Sequence, residues 1–450
     1  MHDRLQFAGE LPTLRAMIAR PSLLRLLAAT TLAGIATAQM PLAEVAKLAR
    51  QRAEKSRPTQ QQALEPFLKD LKYDYKDNRQ FLEPKIKEVA DLGESVVPLL
   101  LEKLSPAQGN ADARNLAGNC RRVLERMDPS SFVDALAELA NGTNEIGRTE
   151  AIQLLGVAQS PRAIELLADL LDRTTGEDLR LVVRSLRLLK ATSAAPKVVT
   201  MLGSNDRQMR EAVLAYLIAV KPAQVADTVV QALSSERDAQ LLPSYIEYFA
   251  VAVREHEAAT RALLPLLNDE RLLWQDKRRL VQALATVAPK DHDKTRELLH
   301  AIIDNQDTTA LAVDAAVSLR TIGDNRGITK LKNVLNEQIR KNKKIAALYE
   351  QRANLAMATE EWGDAVTDFE NMLEVSDGHQ MTRRAWTGIM RCEARRKKTT
   401  QLTNAMKTST FTVEEIEAIG GWDPVFHETL QQDKVRAFLQ KLAKDQPKGG

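Results

Sequence analysis

The stretch RTEAIQLLGVAQSPRAIELLADLLDRTTGED, residues 148–178, decides the fold because it carries the pattern of one complete helix pair. A first helix is predicted because small and apolar residues recur three and four positions apart, at Ala151, Leu154, Leu155 and Ala158. The second helix is predicted to begin at Ser160 and Pro161, since a serine hydroxyl caps the first turn and a proline there leaves no backbone donor unpaired. Its apolar stripe comprises Ile164, Leu167, Leu170 and Leu171. Neither helix can bury its stripe within one pair, so the pair requires neighbours of its own kind.

The same pattern returns downstream in five further predicted pairs. They are 180–190 with 195–202, 210–220 with 222–233, 245–254 with 257–267, 277–287 with 294–303, and 311–322 with 327–335. The residues equivalent to Leu155 would be Leu189, Ile218, Phe249, Leu284 and Leu319. Their period is roughly 28 to 35 residues, within the range of helical repeats. The sequence therefore predicts an all-α fold, an α-solenoid of stacked helix pairs.

This pattern resembles the HEAT-repeat family, particularly its short, phycobiliprotein-lyase-like form. The segment VADLGESVVPLLLEKL (89–104) resembles an opening repeat, with its Leu92-Gly93 step and the run Val97 to Leu101, and 112–139 supplies a further pair. The resemblance covers residues 83–340, more than half of the chain. It implies a superhelical stack, and it implies little about function because it lies in the pattern and not in a catalytic motif.

A second resemblance begins after the basic run near Arg340. The segment AALYEQRANLAMATEEWGDAVTDFENMLEVSDG (346–378) resembles a tetratricopeptide repeat, with aromatic and small packing positions at Tyr349, Ala353, Ala365 and Phe369. It departs from that family at Arg352 and Ala356, where a leucine and a tyrosine are usual, and no proline closes it. Residues 384–406 are a candidate degenerate second copy, with Trp386 and Cys392 facing inward. The tetratricopeptide-like region is therefore placed at 341–407.

The two ends of the repeat array are predicted to be capped by helices. At the N-terminal end, residues 39–82 form a lead-in whose stripe of Phe67, Leu68, Leu71 and Tyr75 covers the first repeat, or alternatively a low-complexity linker. At the C-terminal end, 408–450 is predicted to be a helical cap. Thr412 and Glu415 form a capping box there, and Asp423-Pro424 and Asp433 begin two later helices. The segment 423–440 resembles the closing segment of some bacterial tetratricopeptide proteins.

Residues 1–38 are interpreted as a signal peptide with a leader. Arg20 and Arg25 precede the short apolar run 26–35, and Ala36-Thr37-Ala38 supplies small residues for cleavage before Gln39. Met17 is an alternative start. The mature chain is then expected to be exported, either periplasmic or secreted. No later run approaches the roughly 20 apolar residues of a membrane span. An ordinary amphipathic first helix is the alternative interpretation.

Composition narrows the classes of function only a little. The net charge is +3 with 27% charged residues, which is too balanced to predict a polyanion partner. Basic clusters occur at Arg180, Arg184 and Arg187, at 277–279 and at 395–398, but acidic residues alternate with them. Aromatic residues for base stacking are few, at 4%. Nucleic-acid binding is therefore kept as a lesser alternative.

The residues that most resemble catalytic or metal-binding groups have simpler interpretations. Two His-Glu dyads, 256–257 and 427–428, invite comparison with the di-iron deoxyhypusine hydroxylases of HEAT type, but the second lies outside the repeats. Asp291-His292-Asp293 is interpreted as the capped start of a helix, which is a simpler explanation than a metal site. Cys120 falls on an apolar helix face and is expected to be a core residue. With only two cysteines there is no disulfide framework, and no phosphate loop or nucleophile elbow is present.

The leading interpretation is a non-catalytic, exported scaffold that binds a protein or peptide along a concave face lined by the second helices. The candidate contact residues are Arg162, Glu165, Lys197, Gln224, Asp227, Arg261, Glu297 and Lys332. The tetratricopeptide resemblance adds Glu350 and Asn354, which are expected to face the groove of that unit. No catalytic residue, metal or cofactor is assigned. An enzyme, either metal-dependent or a lyase like the bilin-attaching relatives, is the alternative.

Overall fold

The computed structural model describes residues 61–107, 109–305 and 309–445, and within these ranges every regular element is helical. The prediction of an all-α fold is therefore confirmed for the described chain. The proposed signal peptide, the cleavage site before Gln39 and the alternative start at Met17 lie outside these ranges. Among the helices of the described residues, none is long and apolar enough to cross a membrane.

The chain divides into two compact units, Met1–Leu154 and Leu155–Gly450. In the first unit residues 61–68 are helical. Five further α-helices follow: α1 (Arg79–Ala90), α2 (Val97–Leu104), α3 (Ala111–Arg126), α4 (Val133–Ala140) and α5 (Glu145–Leu155), which ends at the boundary. The core of this unit contains the fully buried Leu82, Leu100 and Leu124. Buried Asn119 of α3 donates to the carbonyls of Leu71 and Tyr73 at 2.8 and 2.9 Å, which fixes the lead-in segment on α3.

In the second unit, most helices alternate as the first and the second helix of successive pairs. Its helices are α6 (Pro161–Leu170), α7 (Gly176–Leu188), α8 (Ala195–Val198), α9 (Arg207–Val220), α10 (Ala226–Ser235), α11 (Leu242–Ala252), α12 (Glu257–Leu263), α13 (Trp274–Val287), α14 (Asp293–Asp304), α15 (Thr309–Thr321) and α16 (Arg326–Lys341). The C-terminal part adds α17 (Ala346–Ala358), α18 (Trp362–Val375), α19 (His379–Arg395), α20 (Thr399–Thr408), α21 (Val413–Gly420), α22 (Pro424–Leu430) and α23 (Asp433–Asp445).

The helices of the second unit pack in a regular order that is compatible with helical repeats. Each first helix lies against the next first helix, in the series α7, α9, α11, α13, α15, α17 and α19. Second helices also pack on one another, α10 on α12 and α14 on α16. Each apolar stripe is thus covered by the neighbouring pair, as the sequence pattern requires.

The turns that follow α7, α15, α17 and α19 share the same backbone geometry. Lys190, Gly323, Glu360 and Lys397 all have positive φ. At each site a backbone N–H reaches back to a helix carbonyl five residues earlier: Ala191 to Leu186, Asp324 to Leu319, Glu361 to Ala356 and Lys398 to Glu393, at 2.8 to 3.0 Å. This is the Schellman arrangement, which satisfies the last helix carbonyls and turns the chain towards the second helix.

Tyrosine side chains tie neighbouring pairs together at equivalent places. The fully buried Tyr216 of α9 donates from its hydroxyl to the carbonyl of Ala191, 25 residues earlier. Tyr248 of α11 donates to the carbonyl of Pro222, 26 residues earlier, at 2.9 Å. Since an unpaired buried hydroxyl is costly, these bonds fix how each first helix sits on the preceding turn.

The decisive stretch 148–178 forms two helices, α5 and α6, but Ala158, expected on the first of them, follows its end at Leu155. Ala151, Leu154, Leu155 and Ala158 are fully buried, and the Ser160 hydroxyl accepts from the Arg162 N–H at 3.2 Å. Of the expected equivalents of Leu155, Leu189 and Ile218 are only half-buried, whereas Leu186 of α7 and Leu217 of α9 are fully buried.

A candidate binding cleft on the first helices

An open cleft of about 850 Å³ crosses four first helices of the second unit, α13, α15, α17 and α19. Helix periodicity explains which side chains meet there, since residues four apart lie on one face. On α13 this face presents Trp274, Arg278 and Gln282. On α17 it presents Glu350 and Asn354, and on α19 it presents Arg384, Arg391 and Arg395. The cleft is therefore built from exposed faces of helices whose opposite faces form the core.

At one end of the cleft an ion pair fixes the α13 face to α15. Arg278 Nε donates to Asp314 Oδ2 at 2.6 Å, and Gln282 Nε2 donates to Asp314 Oδ1 at 2.7 Å. The hydrogen bond to Asp314 raises the pKa of Arg278. The same guanidinium lies 5.7 Å from the centroid of the Trp274 ring, and Trp274 is 55% exposed. This end therefore combines a guanidinium fixed by an ion pair with a solvent-exposed indole ring.

At the other end two arginines share one buried carboxylate. Arg391 Nε and Arg395 Nη1 donate to Asp423 Oδ2 at 2.6 and 2.9 Å, and the Asp423 side chain is 1% exposed. Burial raises the pKa of Asp423, but the hydrogen bonds from Arg395 and Arg391 outweigh it and lower the pKa to about 2. Trp362 lies under Arg395 at 5.2 Å, and Trp422 lies under Arg391 at 4.7 Å.

The middle of the cleft is more open. Arg384, whose side chain is 52% exposed, lies 3.5 Å from Glu350. Asn354, one turn further along α17, is exposed. A second cavity of about 400 Å³ adjoins this part and shares Glu350, Asn354, Met357, Arg384 and Arg391 with the first. Together the two cavities form an elongated groove.

The structure brings two of the ten predicted contact residues into this cleft, Glu350 and Asn354. The other eight lie on second helices or in the turns before them, outside the lining. Three of these pair with neighbouring repeats: Lys197 with Asp172, Asp227 with His256, and Lys332 with Glu361. Arg162 and Arg261 pair within their own helices, with Glu165 and Glu257, while Gln224 and Glu297 are exposed. These eight remain predictions.

Most of the residues that line the cleft carry no distinctive sequence signal. In the sequence Arg278 and Arg395 belong only to basic clusters, and Trp274, Trp362 and Arg391 are not defining positions of any motif. One sequence pattern does point to this surface. Trp274, Arg278 and Gln282 are spaced four residues apart, so they give their helix one polar and aromatic face. That pattern identifies an exposed helix face, but not which faces of four separate helices converge.

Two of the histidines and both of the cysteines weighed as metal ligands or nucleophiles serve as helix caps or as core residues. His256 and His292 are N-caps whose Nδ1 atoms accept backbone N–H bonds, from Ala259 and Thr295, at 3.2 Å. Cys120 and Cys392 are fully buried, and burial raises the pKa of each thiol to about 12. Across the described residues, no group of three or more His, Cys, Asp and Glu side chains is arranged to hold a metal ion.

Comparison with known proteins assigns no family. No family model matches the chain, and no curated protein sequence matches it either. The geometry of the cleft is therefore the observation from which a function is inferred.

Proposed function

We propose that the chain is an α-solenoid of HEAT-type pairs over 83–340, continued by a tetratricopeptide-like region at 341–407 and a helical cap at 408–450. The succession of first helices against first helices supports this proposal. The recurring Schellman turns support it as well, since Gly323, Glu360 and Lys397 follow one another at equal intervals. The equal intervals indicate that the same unit continues from the HEAT-type pairs into the tetratricopeptide-like region.

We propose that this array is a non-catalytic scaffold that binds a protein or peptide. The observation that carries the proposal is the cleft on α13, α15, α17 and α19, where exposed polar and aromatic side chains from four repeats line one elongated groove. A stacked array holds such a surface rigid, so binding orders few side chains of the scaffold. The cleft lies on first helices, and the proposal therefore places the partner there and not along the second helices.

Site-specific photo-crosslinking tests this assignment. A photoreactive amino acid is placed at Asn354, in the cleft, or at Glu297, an exposed position of the second helix α14. Irradiation in cells is expected to give a discrete protein adduct from position 354 and none from position 297. An adduct from position 297 alone would move the partner to the second helices, and the absence of adducts from both would argue against a protein partner.

Export is part of the proposal, and it has a direct test. Mass spectrometry of the exported protein is expected to find Gln39 at its N-terminus. A terminus at Met1 or Met17 in exported material would contradict the signal-peptide interpretation.

Metal analysis separates the scaffold from the enzyme alternative, because stoichiometric iron or zinc in the purified protein would favour a metal-dependent activity.

A further inference from the structure

The cleft holds more guanidinium than carboxylate. Arg278, Arg384, Arg391 and Arg395 line it, whereas Asp314 and Glu350 are its carboxylates. Behind it, the single buried Asp423 serves both Arg391 and Arg395. Each guanidinium has five N–H donors, so one carboxylate cannot satisfy two of them. With Asp423 counted, four guanidiniums face three carboxylates, so the groove keeps one net positive charge and N–H donors that can pair with an anionic partner.

Arg384 is the most available of these cations. Within the described chain its one ion pair is with Glu350, at 3.5 Å, and its side chain is half exposed. It lines both cavities of the groove, as does Arg391. An anionic segment lying along α19 would thus pass two guanidiniums two helical turns apart, and a charge-assisted bond to a guanidinium is about twice as strong as a neutral one.

The shape of the groove fits a length of polypeptide. Its two cavities, about 850 and 400 Å³, share five lining residues, and the larger one is lined by side chains of four successive first helices. Exposed Asn354 lies between them and carries both an amide donor and a carbonyl acceptor, which match the backbone of an extended peptide.

The same features disfavour a nucleic acid. Of the two tryptophans that line the cleft, the half-buried Trp362 already carries Arg395 against its indole ring, which limits the stacking of bases there. Asp314 and Glu350 interrupt the basic lining, and a continuous phosphodiester chain would be repelled by them. Separate carboxylates on a polypeptide can avoid these two positions.

We propose that the cleft binds an extended acidic segment of a partner protein, whose carboxylates pair with Arg384, Arg391 and Arg395. This inference rests on the proposed peptide binding and names the chemistry of the partner. Because part of the attraction is between exposed charges, the affinity falls as salt concentration rises.

Selection from a phage-displayed library of random peptides against the mature chain separates the two proposals. The expected result is enrichment of peptides with clustered Asp and Glu. Enriched peptides that are neutral or basic would overturn the acidic assignment and leave peptide binding standing. If no peptide is enriched, both proposals fail.

Matched arginine variants then test the site with an enriched acidic peptide carrying a fluorescent label. Arg384→Gln is expected to weaken binding about tenfold, the loss of one charge-assisted contact. Arg340→Gln is the control, since Arg340 is 74% exposed, pairs with Glu337 and lies outside the cleft. Equal affinities for the two variants would overturn the site. A labelled oligothymidylate is tested in parallel. If Arg384→Gln lowers the affinity for the oligothymidylate more than it lowers the affinity for the peptide, the cleft is assigned to single-stranded nucleic acid.

Discussion

Asp423 is the residue on which the end of the cleft depends. It caps α22 by accepting from the Phe426 N–H at 3.2 Å, and it holds two arginines of α19. One buried carboxylate therefore fixes the C-terminal helices to the cleft wall. Breaking a buried ion pair by removing one partner is costly because the other charge remains uncompensated.

Replacement of Asp423 by Asn is expected to lower the free energy of unfolding by about 2 to 3 kcal/mol at pH 7. Asparagine still caps α22, so the loss reports the charge. The folded-state pKa of Asp423, about 2, lies below its unfolded value of ~3.9. Its contribution is thus present above the unfolded pKa and is lost as the pH falls towards 2. Urea unfolding should show a smaller difference between wild type and Asp423→Asn at pH 3 than at pH 7, and an unchanged difference would contradict the charge assignment.

The two cysteines make a simpler prediction at the same scale. Both are fully buried, and burial raises the pKa of each thiol to about 12. A thiolate is the reactive form, so the native protein should react slowly with a thiol reagent at pH 8. Both thiols should react promptly in guanidinium chloride. Rapid labelling of the native protein would show that Cys120 or Cys392 opens to solvent.

At the scale of the element, helix packing in the C-terminal part depends on one close contact. Gly388 of α19 lies so near the ring of Phe369 on α18 that an added Cβ would overlap three ring carbons. Gly388 also sits in a helix interior, where alanine would otherwise be favoured. The close approach of α18 and α19 is thus the reason for glycine at this position.

Gly388→Ala is therefore expected to destabilise the protein by about 1 to 3 kcal/mol, the usual penalty for overpacking. Gly363 in α18 is the matched control, because nothing lies within 4 Å of the Cβ it would gain. Gly363→Ala should instead stabilise the protein slightly, by about 0.5 to 1 kcal/mol. Thermal melts of the two variants test this, and a shift of the same sign in both would contradict the packing argument.

The helices could be predicted from the sequence, and the turns and the cleft could not. Apolar periodicity located the pair at 148–178 because the residues of both stripes, except the half-buried Ile164, are buried at helical spacing. The Schellman turns were hidden because Lys190, Glu360 and Lys397 occupy positions where glycine would have been the signal. The ion pair of Arg391 with Asp423 spans 32 residues, and no local pattern relates them. Glu350 and Asn354 were predicted as contact residues only because their segment resembles a tetratricopeptide repeat.

At the scale of the second unit, the C-terminal helices α21 to α23 close the packing. Helix α22 lies against α19, and α23 lies against α20. Their buried side chains include Phe426, Val435 and Ile416, each fully buried. The predicted capping box is confirmed: Thr412 Oγ1 accepts from the Glu415 N–H at 3.2 Å, and Glu415 accepts from the Thr412 N–H at 2.9 Å. These helices cover faces of α19 and α20 that would otherwise meet water.

A chain ending at Lys407 should therefore expose those faces. It is also expected to leave Arg391 and Arg395 without Asp423, so the cleft wall loses support together with the core. The expected results are binding of a hydrophobic dye, a lower melting temperature and a broader unfolding transition. A chain ending at Asp445 is the control, because it keeps α21 to α23 entire. If the chain ending at Lys407 melts like the control and binds no dye, the C-terminal helices are not a cap, and the stability of α19 must come from α17 and α18 alone.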